Sequence, residues 1–108
     1  MKYLMLSVLG LAAVAAAQSS QTFIGIISDD MCGADGHALM RMGPTDAECA
    51  KACVMAHGAE YAIVIGRNVY ILSDQKTPER FAGQKVTVIG TLDAKARTIH
   101  VDSIAAAK

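Results

Sequence analysis

Three cysteines, three histidines and six methionines supply the soft, metal-prone side chains of this 108-residue chain, and most of those outside the N-terminal run crowd into residues 31–57. Cys49, Cys53 and His57 recur every fourth position, a spacing that places them along one face of a helix. Cys32, His37, Met40 and Met42 precede them in a Gly- and Met-bearing stretch without periodicity. Thiolate, thioether and imidazole together suit Cu(I), whereas three thiolates and an imidazole suit Zn²⁺. Copper or zinc is therefore the expected cofactor, with Cys32, His37, Met40, Cys49, Cys53 and His57 as the candidate ligands. The arrangement C-x₁₆-C-x₃-C-x₃-H departs from the usual zinc spacings.

Two other chemistries compete for the same sulfurs. A disulfide from Cys32 to Cys49 or Cys53 would tie down the long loop, contributing about 3 kcal/mol on the chain-entropy account. The remaining thiol would then be buried as a small apolar side chain. A bridge between Cys49 and Cys53 is disfavoured, because their side chains run parallel from successive turns. Thiol–disulfide exchange would exploit Cys49 in the first turn of a helix, but the C-x-x-C spacing and the βαβ context of such enzymes are missing.

The remaining polar residues read as structural. Asp29 and Asp30 contain the parts of an acid–base pair, yet neighbours on an extended chain point to opposite sides, so a strand-ending turn is expected. His100 falls on the outward face of the last strand. The methionines at 31, 40, 42 and 55 read mainly as core fillers, with Met40 and Met42 better placed as ligands because they flank Arg41. No phosphate-cradling glycine loop or Ser-His-Asp set is present, and a non-enzymatic binding module is expected.

The elements that must position these groups are well punctuated. Thr22 to Ser28 reads as a first strand, with Gly25 marking a bend or a close approach. A helix is predicted over Asp46 to His57: Thr45 caps it, Glu48 completes a capping box, Asp46 favours its positive end and Gly58 stops it. Tyr61 to Ile65 and Asn68 to Leu72 form a hairpin around Gly66-Arg67. Thr77-Pro78-Glu79 starts a short helical turn with Thr77 as cap, and Gly83 ends it. Val86 to Leu92 and Thr98 to Ile104 complete the strands. Five strands with a helical turn between the third and fourth is the order of the OB-fold, a small Greek-key barrel. The helix is then an insertion between strands 1 and 2. An open α+β sheet is the alternative.

At the start of the chain Lys2, the apolar run Leu4 to Ala17 and the small residues Ala15 to Ala17 follow the order of a cleaved secretory signal, which predicts a periplasmic or secreted protein without a membrane anchor. Export also permits disulfides. The expected organisation is a signal over 1–17, a polar spacer over 18–21, one domain over 22–104 and a frayed end over 105–108. Roughly 90 mature residues allow one modest core. Lysine and arginine balance aspartate and glutamate at ten each and are scattered, so no phosphate-binding stripe exists and nucleic acid is not an expected partner. A metal ion or another protein is.

The segments SDDMCG, His37-x-x-Met40, ECAKACVMAHGAEYAIV and VYILSDQKTPERFAGQKVTVIGTLD resemble a family of small exported bacterial proteins of uncharacterised function. The resemblance runs from Gly25 to Ile104. It implies an OB-like barrel and a constellation of Cys32, Gly33, His37, Met40, Cys49 and Cys53, and no particular reaction.

Overall fold

The computed structural model of the chain describes residues 19–35 and 45–108. The expected signal segment lies outside the described residues, as do His37, Met40 and Met42. Five strands, β1 (Gln21–Asp29), β2 (Tyr61–Ile65), β3 (Asn68–Leu72), β4 (Lys85–Asp93) and β5 (Thr98–Ala106), surround the core. They close into a barrel in the order β1-β2-β3-β5-β4. Every pairing is antiparallel except the β3–β5 seam, which is parallel. This is the five-stranded OB-like order, not the open sheet.

Alternation drives the closure. Val86 and Val88 of β4 point inward with Ile27 of β1, Ile63 of β2, Leu72 of β3 and Ile99 of β5, as a pleated strand with one buried face requires. Gly25 permits a close approach: a Cβ there would run into the Val64 carbonyl oxygen of the neighbouring strand.

Among the described residues one α-helix, α1 (Asp46–His57), is inserted between β1 and β2. Thr45 Oγ1 accepts from the Glu48 N–H at 3.1 Å, and Gly58 closes the other end at φ 71°, its N–H donating to the Cys53 carbonyl. The helix packs Ala50 into the barrel core, with Ala47 and Val54 alongside. It comes so near because Gly83 has no side chain; a Cβ there would lie 3.0–3.2 Å from Ala47. The Gly83 N–H in turn donates to the Ile27 carbonyl at 2.8 Å, which ties the helix-bearing end of the barrel to β1.

Four expectations need correction. The C-terminus is not frayed at 105: Ala105 and Ala106 pair with Thr87 and Val86, because β4 offers them a free ladder. Likewise, β1 begins at Gln21, inside the expected spacer, since Gln21 pairs with Gly90. The 3₁₀ turn Thr77–Phe81 is not capped by Thr77; Asp74 Oδ1 accepts from the N–H groups of Lys76 and Thr77 at 2.9 and 3.0 Å. Met31 and Met55 are not core residues either, being 41% and 82% exposed, because the turn and helix that carry them turn other side chains inward.

Candidate metal centre

The first sulfur is placed by an aspartate. At the end of β1, Asp29 Oδ1 accepts from the backbone N–H groups of both Met31 and Cys32, each at 2.8 Å, and this folds the chain back on itself as Asx turns do. Gly33 follows at φ 58°. The turn is held from the other side as well. The Asp30 N–H donates to the Glu60 carbonyl and Asp30 Oδ1 accepts from the Glu60 N–H, both at 2.9 Å. The chain leaving β1 and the chain entering β2 are thus locked together beneath the helix.

Helix α1 supplies the other two sulfurs. Cys49 and Cys53 lie one turn apart on the face next to the Ala50 stripe, and both are fully buried. Together with Cys32 and Ala59 they form a second apolar cluster beside the barrel core. The Cys32 Sγ lies 3.4 Å from that of Cys49 and 4.0 Å from that of Cys53. All three sulfurs fall within 4.8 Å of one another, and all three are thiols.

Burial dominates their electrostatics. It pushes the Cys32 thiol far up, with the adjacent Asp29 carboxylate and the Cys49 thiol adding to the shift. Burial also raises Cys53, followed by the charge of Asp29. In the metal-free protein Cys32 and Cys53 are therefore neutral thiols at neutral pH.

Two chemistries fit three such sulfurs. Around a tetrahedral ion with bonds near 2.3 Å, sulfurs stand about 3.8 Å apart; the two separations from Cys32, 3.4 and 4.0 Å, lie on either side of that value, and the third pair falls within 4.8 Å. A disulfide needs about 2.05 Å, so Cys32 and Cys49 would have to approach further to form one.

Of the residues expected to act together, the structure assembles Cys32, Cys49 and Cys53 and leaves out His57, which is exposed on the last turn of α1. Each four-residue step rotates a helical stripe by about 40°, so two steps from Cys49 carry His57 off the buried face. His37 and Met40 lie outside the described residues. His100 is exposed on β5, as expected.

Asp29 is the residue that the sequence concealed. Its side chain is 0% exposed. With Oδ1 occupied by two N–H donors, its Oδ2 is buried and has no hydrogen-bond partner among the described residues. The chain matches no family model, no curated protein and no solved structure, so the reading of this site rests on its own geometry.

Proposed function

We propose that this protein is an exported, non-enzymatic binding module that holds one thiophilic metal ion through Cys32, Cys49 and Cys53. The supporting observation is the convergence of three buried sulfurs within 4.8 Å, which a single disulfide would use only in part. The barrel is a rigid platform for the turn after β1, and α1 closes over that turn as the second jaw. Thiolates are the ligands that select copper(I), zinc and related ions. Loading releases thiol protons, because the thiolate is the ligand form.

Titration of reduced mature protein with Zn²⁺ or Cu(I) against a competing chelator tests this reading. One equivalent is expected to bind and to protect all three thiols from alkylation; no stoichiometric binding of either ion overturns it. The 3.4 Å approach of Cys32 and Cys49 favours a second reading, a disulfide-stapled structural or protein-interaction domain. Intact mass after alkylation and denaturation of protein taken from its native compartment separates the two. One alkyl group indicates the staple, and three after chelation indicate the metal site.

A further inference from the structure

Three thiols leave a tetrahedral ion one donor short, and among the described residues the unsatisfied oxygen of Asp29 is a buried candidate. Its Oδ1 is committed to the turn that positions Cys32, through the N–H groups of Met31 and Cys32. Its Oδ2 has no partner among the described residues although no part of Asp29 reaches solvent. The Cys32 thiol is close enough to the carboxylate to be raised by it, and Cys53 feels its charge, but neither gives Oδ2 a hydrogen bond of ordinary geometry. A buried carboxylate oxygen left without a partner costs free energy, and a cation bound among the neighbouring sulfurs removes that cost.

We infer that Asp29 is the fourth donor of a Cys₃Asp centre and that it makes the site one for a divalent, zinc-class cation rather than for Cu(I). The inference rests on the proposed metal binding by the three cysteines. Two arguments carry it. Carboxylate oxygen is an ordinary ligand of Zn²⁺ beside thiolate and a poor one for soft Cu(I), which thiolates and thioethers select. Charge points the same way. Three thiolates and a carboxylate around a divalent ion carry the same net charge as a four-cysteine zinc site, whereas Cu(I) would leave one more negative charge buried. The atoms already within 4.8 Å of one another are the three sulfurs alone, so ligation by Asp29 requires Oδ2 to move towards them as the ion binds.

Asp29→Asn is the informative variant, because the amide keeps an Oδ1 acceptor for the turn while replacing Oδ2 by an NH₂ group. Zn²⁺ and Cu(I) affinities are measured by chelator competition on reduced wild-type and variant protein, with circular dichroism as the check on folding. Zn²⁺ affinity is expected to fall at least about tenfold while Cu(I) affinity holds or rises, so the ratio of the two drops. Equal changes for both ions, or none, overturn the inference, as would be seen if a side chain from 36–44 were the fourth donor. Cadmium NMR of the loaded wild-type protein gives a readout that needs no variant: a shift in the mixed thiolate–oxygen range supports Asp29, and a shift in the all-sulfur or sulfur–nitrogen range overturns it. Wild-type protein that binds neither ion points to failure of the underlying metal-binding proposal.

Discussion

Each of the three sulfurs is buried, and that burial controls reactivity as much as ligation. Cys32 and Cys53 favour the neutral thiol in the folded chain, chiefly through loss of solvation. A folded-state pKa raised above the unfolded value of about 8.5 means a contribution to stability that is complete below that pH and is lost as pH rises beyond it. Reduced, metal-free protein should therefore show an unfolding midpoint in urea that falls between pH 8 and pH 10. A Cys32→Ser, Cys53→Ser double variant should lose the part of that fall below about pH 9, since Tyr61, also raised by burial, adds to it only at higher pH. A wild-type midpoint unchanged over that range would show that the thiols ionise without penalty. The cysteines announced themselves through their spacing, and their assembly was legible because a capped helix fixes where Cys49 and Cys53 point. Asp29 was not legible. Next to Asp30 at a strand end it has the pattern of a turn, which it also is, and only the fold reveals that one of its two oxygens is left over.

At the level of elements, the caps of α1 and the turn of the β2–β3 hairpin are where their local residues put them, whereas the expected Thr77 cap gives way to Asp74 and the strand end at 105–106 is set by its partner strand. Helix α1 and the β2–β3 hairpin keep their expected bounds because Thr45, Gly58 and Gly66 act locally. The alanines at the end of β5 have little strand propensity of their own and are strand only because β4 pairs with them. Asp74 displaced Thr77 as the cap by reaching two N–H groups instead of one. The Thr77 side chain, more than any other group, holds the Asp74 carboxyl below its ordinary range. A depressed pKa gives stability that is present above about pH 4 and is lost as pH falls through the folded value. Asp74→Ala should thus cost about 1 kcal/mol at pH 7, and the difference from wild type should shrink below pH 3 in urea melts; a constant difference would exclude the carboxylate as its source. Its neighbour Gln75 has a larger task. Gln75 accepts from the Tyr61 N–H at 2.7 Å and donates to the carbonyls of Tyr61 and Leu72 at 3.0 and 2.8 Å. Gln75→Ala strands those backbone groups at the entry to β2 and the exit from β3, and a loss of about 2 kcal/mol is expected in the same urea melts.

For the whole molecule, the barrel has one thin seam and the candidate metal centre is not on it. The parallel β3–β5 ladder contains two partner pairs, Ile71 with Thr98 and Leu72 with Ile99. It is reinforced by the Ser73 hydroxyl, which accepts from the Val101 N–H at 2.9 Å, and by Arg97 stacked 4.7 Å from the Tyr70 ring. The sulfurs instead join the turn after β1 to α1, and Ala50, its apolar neighbours and the contact at Gly83 hold that helix to the barrel. A ligand that binds only the folded state adds stability by mass action, about 2.7 kcal/mol at a hundredfold excess over Kd. Where that stability appears depends on which motions break the site. Opening of the seam can leave the three sulfurs together, whereas release of α1 must separate them. Hydrogen exchange on reduced protein with and without one equivalent of Zn²⁺ should therefore show added protection concentrated in α1 and in the amides of Met31 and Cys32. The Ile71 and Ser73 amides, which donate across the seam to Arg97 and Ile99, should change little. Equal protection of both regions would mean that the barrel and its helix open as one unit, and that the metal acts on the fold as a whole rather than as a clamp at one end of it.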